Sequence, residues 1–130
     1  AYVHWPAAVA SGSLPRWELI LDARAPSDTA AARWIRAHGY AGARAVVWSS
    51  DAWPYLLGDL PLQLPTAPIY NDVVLMGSGG AVAARVAALD PLVIVAETDD
   101  VRTWPDIEPL LRSRYRLAFV TFRDLVYVRR

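Results

Sequence analysis

The stretch "LDPLVIVAETDD", residues 89–100, turns from an apolar run into four consecutive polar residues. Pro91 ends any helix that precedes the run, and the run itself has the length of a strand. It lacks the alternation of a strand with one wet face, which is typical of a strand covered on both faces. The stretch therefore predicts a central strand over 91–97, with acidic residues at its carboxyl end.

Further strands are predicted on both sides of this one. The segment "ARAVVWS", residues 43–49, is dominated by β-branched and aromatic residues. "RLAFVTF" and "DLVYVRR" close the chain, and the tight turn between them requires antiparallel pairing. The run at 17–23 is either a strand or a helical turn. Glycine and proline punctuate residues 58–72, which predicts an excursion with at most one short extended piece, "APIY".

Helical spacing marks three segments between the strands. The first is predicted to begin at an N-cap, Ser27 or Asp28, and to end at Gly39. The second is "AVAARVAAL", which follows the glycine-rich "MGSGG". Asp106 is predicted to cap the third, with Pro109 in its first turn, where a missing N–H costs little.

This order of elements predicts an α/β fold. The expected architecture is a Rossmann-like three-layer domain, with helices on both faces of a mainly parallel sheet and a C-terminal antiparallel edge hairpin. Residues 1–16 show no sustained period and are predicted to form an irregular N-terminal arm. Residues 17–130 are predicted to form a single α/β domain, because 130 residues is the usual size of one domain.

The composition excludes several classes of chemistry. The chain has no cysteine, which excludes disulfides, thiolate metal sites and cysteine nucleophiles. Its formal net charge is +0, so no overall field attracts nucleic acid. All 13 basic residues are arginine, and 55% of the residues are apolar, enough for a real core. No apolar run reaches the ~18 residues of a membrane helix, and no signal peptide is visible. Because the chain begins with Ala1, an excised fragment or a processed product is expected.

The carboxyl ends of parallel strands meet at one edge of a sheet, where doubly wound proteins bind ligands. Both predicted buried strands end in polar segments, residues 49–51 and 97–100. Their carboxylates could together bind a divalent cation or hydrogen-bond sugar hydroxyls. Alternatively, they form turns and caps only. The candidate ligand-binding residues are Asp51, Trp53, Glu97, Asp99 and Asp100.

Other conspicuous residues are interpreted as structural. Trp48 and Tyr55 are predicted to lie in the core, whereas Trp53 and Tyr70 either stack on a sugar or pack inside. "GSGG", residues 77–80, matches neither the phosphate-loop nor the dinucleotide-binding spacing and predicts a flexible turn. His38 is predicted to be a helix residue rather than a base. No catalytic residue, metal ligand or cofactor site is predicted.

Three segments carry a resemblance to a known family. "AAARWIRAHGYAGARAVVWSSDAWPYLL", "LDPLVIVAETDD" and "WPDIEPLLRSRYRLAFVTFRDLVYVRR" resemble segments of bacterial membrane glycosyltransferases of the protein-mannosyltransferase and aminoarabinose-transferase type. The resemblance covers about residues 29–130. The chain departs from the family pattern at Ser49, where glycine is usual, and at "GYAG" and "MGSGG".

The resemblance implies a soluble extracytoplasmic C-terminal domain, attached to the membrane-embedded portion of its own parent chain. Such enzymes move a sugar from a polyprenyl phosphate to an acceptor, and their catalytic carboxylate lies in the membrane portion. The expected function is thus that of a non-catalytic accessory domain at the cell membrane that positions acceptor or glycan. The alternative is a free-standing Rossmann-like small-molecule binding module. A stand-alone hydrolase is less favoured, since no nucleophile–base pair with suitable spacing is visible.

Overall fold

The computed structural model describes residues 25–49 and 69–130. The predicted arm at 1–16, the run at 17–23, and the predictions for Asp51, Trp53 and Tyr55 lie outside the described residues. The described elements, in chain order, are α1 (Ala25–Ala37), β1 (Ala45–Trp48), α2 (Ile69–Met76), α3 (Gly79–Leu89), β2 (Val93–Glu97), α4 (Thr98–Thr103), a 3-10 turn (Pro105–Ile107), α5 (Glu108–Arg114), β3 (Tyr115–Val120) and β4 (Asp124–Arg129).

The four described strands form one mixed sheet in the order β1-β2-β4-β3. β1 and β2 are parallel neighbours, in a register that runs from Ala45 opposite Val93 to Trp48 opposite Ala96. β4 is antiparallel to both β2 and β3. The α/β class is thus confirmed, but the prediction of a mainly parallel, Rossmann-like sheet is wrong for the described strands, where only one pair is parallel.

The C-terminal hairpin explains this difference. It was expected at an antiparallel edge of the sheet, and its strands do pair antiparallel. However, the last strand, β4, lies inside the sheet, and β3 is the outer strand. The burial patterns agree with these positions: β4 buries alternate residues, including Val126 and Val128, whereas half of the β3 residues are exposed, Arg116 among them.

The sheet separates two apolar cores. On one face, α1 places Ala31 and Ile35 against Val47, Val95 and other sheet valines. On the other face, residues of α2, α3, α4 and α5 pack around Trp48, Ile94 and Tyr115. β1 and β2 are buried along their whole length, as predicted for strands covered on both faces. Trp48 is fully buried, and its indole N–H donates to the carbonyl oxygen of Trp104 at 3.2 Å, which confirms the core prediction.

Three predicted helices are present, with shifted boundaries. α1 starts at Ala25, so Ser27 lies in its first turn and is not its N-cap. Gly39 follows α1 with a φ of 80°, the left-handed conformation that favours glycine. α3 includes the expected "AVAARVAAL" and is capped by Ser78, which accepts the Ala81 N–H at 3.0 Å. Pro109 lies in the first turn of α5 as predicted, but Asp106 belongs to the preceding 3-10 turn.

Two described helices were not predicted. α2 begins at Ile69, inside the "APIY" piece that was expected to be extended, so that prediction is wrong. α4 follows β2 directly with six residues, too few to show a period. Within the described parts of the chain, no single helix has both the length and the apolarity to cross a membrane. Only α2 and α3 together meet those criteria, with a bend of 104° between them.

Candidate functional site

Buried polar side chains concentrate at one edge of the sheet, which is formed by the carboxyl ends of the parallel strands and not by an outer strand. β1 and β2 end there, and because β4 is antiparallel to β2, β4 begins there, with Asp124 opposite Glu97. Burying a polar group is costly unless it is hydrogen-bonded, so such groups are rarely gathered without a structural or functional reason. The polar residues that are buried in the described chain are Ser27, Ser49, Asp72, Glu97, Asp100 and Asp124.

Ser49 and Glu97 meet at this edge, as the parallel pairing of β1 and β2 requires. The Ser49 hydroxyl donates to Glu97 Oε2 at 3.4 Å. Arg123 approaches the other carboxylate oxygen of Glu97 at 3.6 Å and Asp99 Oδ2 at 3.6 Å. The Glu97 side chain is only 3% exposed, whereas that of Asp99 is 61% exposed. Arg123 therefore pairs with a buried carboxylate and an exposed one, and its single positive charge offsets one of their two negative charges.

A second group of hydrogen bonds lies beside the first. The Ser27 hydroxyl donates to Asp124 Oδ2 at 3.0 Å and accepts the backbone N–H groups of Arg123 and Asp124 at 3.0 and 3.1 Å. It also contacts the hydroxyl of Thr121. These bonds attach the first turn of α1 to the turn between β3 and β4. They hold the backbone that carries Arg123, so Ser27 positions Arg123 indirectly.

Two further buried acids lie in the first turns of helices at this edge. α2 begins where its Ile69 N–H donates to the Ser49 carbonyl oxygen at 2.8 Å, and Asp72 follows within one turn. Asp100 lies in the first turn of α4, directly after β2. Acidic residues are favoured in the first turn because the helix dipole is positive there. Capping therefore accounts for part of this acidic character.

Of the five candidate site residues, three can be located. Glu97 and Asp99 share Arg123, and the buried Asp100 follows them in the same turn. Asp51 and Trp53 lie outside the described residues. Tyr70, left open as core or stacking platform, is 46% exposed on α2.

The arrangement is better suited to hydrogen bonding than to holding a cation. Among residues 25–49 and 69–130, no three acidic or histidine side chains come together in a way that could bind a metal ion. Arg123 also lies between the two carboxylates that would be closest to such an ion. Adjacent hydroxyl, carboxylate and guanidinium groups can instead donate to and accept from a neutral polar ligand.

The glycine-rich segment at 77–80 has a structural explanation. Gly77 adopts a φ of 97°, and Ser78 caps α3. A Cβ on Gly79 would lie 2.6 Å from Asp106 Oδ2 and 3.1 Å from Trp104 Cδ1, so any larger residue would require these side chains to shift. The Asp106 carboxylate already lies beside the first turn of α3, where a phosphate would otherwise bind.

His38 is also accounted for without a catalytic role. The ring is exposed, stacks on Trp34 with centroids 4.1 Å apart, and its Nδ1 bonds to the Trp34 carbonyl oxygen at 2.8 Å.

Sequence reasoning missed Arg123, Ser27 and Asp124 as members of this edge. Arg123 and Asp124 were assigned only to a tight turn, and Ser27 only to a cap. The sequence contained a signal for Arg123 and Asp124, because a strand that pairs antiparallel with β2 begins where β2 ends. It depended on placing β4 inside the sheet, which the local pattern did not indicate.

The fold and this edge define an α/β domain with a mixed sheet and an acidic polar cluster, in which Arg123 pairs with Glu97 and Asp99. Searches with the chain find no matching protein-family model, no matching curated protein and no matching solved structure. The function must therefore be argued from the residues themselves.

Proposed function

We propose that the chain is the soluble extracytoplasmic domain of a membrane-bound glycosyltransferase that uses a polyprenyl-phosphate sugar. In this proposal the domain is not catalytic. It lies against the membrane-embedded portion of its own parent chain and positions acceptor or glycan through the sheet edge, where Asp99 and Arg123 are accessible beside the buried Glu97.

One observation carries the binding part of the proposal. The buried polar residues of the described chain gather at one edge, where Ser49 donates a hydrogen bond to Glu97 and Arg123 forms ion pairs with Glu97 and Asp99. Sugars present closely spaced hydroxyls that both donate and accept, and such a group complements them. The link to glycosyltransferases rests on the resemblance of residues 29–130 to that family.

A binding experiment tests the role of the edge. A panel of methyl glycosides is titrated against the chain and followed by saturation-transfer NMR. We expect weak binding of at least one glycoside, abolished by Glu97→Gln. Asp90→Asn is the matched control, since Asp90 precedes β2 at the opposite edge and pairs with Arg129 at 2.7 Å. Its φ of 47° is one that asparagine tolerates. Equal binding by Glu97→Gln and the wild type would exclude the edge as the binding site.

The membrane association requires a separate observation. The gene that encodes this chain should also encode a series of hydrophobic segments of ~20 residues each upstream of it. A gene that encodes the domain alone would refute the proposal and favour the alternative of a free-standing small-molecule binding module.

A further inference from the structure

A separate pocket of about 570 Å³ opens between α4, α5 and the β3–β4 hairpin. All of its lining residues lie within 98–130, in the described chain. It faces the sheet surface next to the Trp48 core, along the β3–β4 hairpin. Its volume lies within the range of pockets that bind small organic molecules, ~300–1,000 Å³.

The floor of this pocket is apolar. Leu111 and Tyr115 form its deeper part and belong to the core. Leu117, Leu125 and Tyr127 continue it along the hairpin, and Leu117 remains 48% exposed. The Tyr115 hydroxyl donates to the Pro91 carbonyl oxygen at 2.5 Å, so this group is already engaged. A ligand would therefore cover mainly hydrocarbon and aromatic surface here.

The rim of the pocket is cationic. Arg102, Arg112 and Arg130 line it, against one acidic lining residue, Glu108, and Arg102 also pairs with the exposed Asp99 at 3.4 Å. Arg112 pairs with Glu108 at 3.3 Å across one helical turn, and this pair is exposed, so it is weak and exchangeable. Each guanidinium has five N–H donors, and these contacts use few of them.

Arg130 and Tyr127 add directed donors. Arg130 donates through Nε to the Tyr115 carbonyl oxygen at 2.8 Å, which fixes its guanidinium beside the pocket. Tyr127 also lines the pocket, and its hydroxyl is protonated at neutral pH as any phenol is; burial, and then the Glu108 carboxylate, raise its pKa further above the usual 10.0. Arginine forks match phosphate and carboxylate oxygens and hold them by charge-assisted hydrogen bonds.

We propose that this pocket binds an amphipathic organic anion, whose apolar body lies on the leucine and tyrosine floor and whose phosphate or carboxylate group lies among the rim arginines. This site is distinct from the proposed glycan-binding edge and does not depend on that proposal.

Two phosphate probes test the proposal and separate its two sources. Decyl phosphate, below its micelle concentration, represents a lipid-derived anion, and 1-naphthyl phosphate represents a compact aromatic one. Both are titrated against the chain, with chemical-shift changes followed by NMR. We expect saturable binding of at least one probe with shifts concentrated in residues 98–130. Inorganic phosphate and decyltrimethylammonium should bind far more weakly, because the first lacks an apolar body and the second lacks an anionic group.

Single substitutions locate the site. Arg112→Gln and Arg130→Gln should each weaken binding of the phosphate probe roughly three- to tenfold, the effect of losing one exposed charge-assisted contact. Arg85→Gln is the matched control, since Arg85 is exposed on α3 and outside the pocket lining. Leu117→Ser should weaken the binding of both probes. The chain should stay folded, because the Leu117 side chain is about half exposed.

The proposal is overturned if neither phosphate probe binds, if decyltrimethylammonium binds as well as decyl phosphate, or if Arg112→Gln and Arg130→Gln bind like Arg85→Gln. Tighter binding of decyl phosphate assigns the pocket to lipid-derived anions. Tighter binding of 1-naphthyl phosphate assigns it to compact aromatic anions.

Discussion

Replacing Gly79 by alanine tests whether the glycines of residues 77–80 serve packing or ligand binding. Gly79 is the first residue of α3 and faces the turn formed by Trp104 and Asp106. An added Cβ would lie 2.6 Å from Asp106 Oδ2 and 3.1 Å from Trp104 Cδ1. The neighbouring Gly80 provides a matched comparison, because its nearest contacts would be at 3.5 and 3.8 Å, ordinary van der Waals distances.

The two substitutions should change stability in opposite directions. In a helix, alanine is favoured over glycine by up to ~1 kcal/mol, so Gly80→Ala should stabilise the protein by roughly 0.5–1 kcal/mol. Gly79→Ala has the same helical preference but introduces a clash. Asp106 is exposed and can rotate away, whereas Trp104 packs against the core and cannot move freely. Since overpacking typically costs ~1–3 kcal/mol, we expect a net loss of about 1–2 kcal/mol.

Urea unfolding of the two variants measures this difference directly. A gap of roughly 2 kcal/mol corresponds to about 6–10 °C in Tm for a chain of this length. The double variant Gly79→Ala/Asp106→Ala should recover only the part of the loss that is due to the carboxylate. If Gly79→Ala is as stable as Gly80→Ala, the packing explanation is wrong, and a role of the segment in binding must be considered again.

Three further predictions concern charge and hydrogen bonding. Arg123→Ala leaves the Glu97 carboxylate buried without its ion pair and should lower the free energy of unfolding by about 1–2 kcal/mol. The loss is smaller than for a fully buried pair because Arg123 is 33% exposed. Adding Glu97→Gln to the Arg123→Ala chain should restore most of this loss, and no restoration would contradict an ion pair between Arg123 and Glu97. Ser27→Ala should cost about 1–3 kcal/mol and speed hydrogen exchange at the Arg123 and Asp124 amides, whereas a mere helix cap would affect α1 only. Burial, and then the Asp90 carboxylate, raise the pKa of Tyr115 above its usual 10.0. The Tyr115 phenol therefore loses its proton at a lower pH in the unfolded chain than in the folded chain. The contribution of Tyr115 to the free energy of unfolding is fully present below pH 10 and declines as the pH rises further, and absorbance titration of the phenol checks the direction of the pKa change.

The parts of the fold that were predicted correctly have strong local patterns. α3 repeats Val82 and Val86 on one face, and α1 repeats Ala31 and Ile35, so periodicity alone locates both helices. β2 is apolar from Val93 to Ala96, as expected for a strand that helices cover on both sides of the sheet. In each of these elements, a local pattern and tertiary burial favour the same structure.

The missed elements lack such agreement. α4 has only six residues, and α2 follows a proline-rich segment and exposes Val74 and Leu75, so neither shows a clear amphipathic pattern. The position of β4 is a non-local property, because it depends on which strand of the hairpin pairs with β2. The sheet order depends on the position of β4, so the prediction of a mainly parallel sheet failed when β4 was placed at the edge.

The position of β4 in the sheet also decided how well the site could be predicted. The acidic run at 97–100 indicates a negative patch when it is considered alone. In the folded chain it is divided, because the strand ends and a helix begins within it: Glu97 and Asp100 turn inward, and Asp99 faces solvent. The insertion of β4 beside β2 then brings Arg123 to the two carboxylates of Glu97 and Asp99. A cation would compete with this guanidinium, whereas a neutral hydroxyl-bearing ligand would not. The ion pairs of Arg123 are therefore consistent with the proposed recognition of a neutral ligand at this edge, and the Arg102–Asp99 pair at 3.4 Å joins the edge to the rim of the pocket.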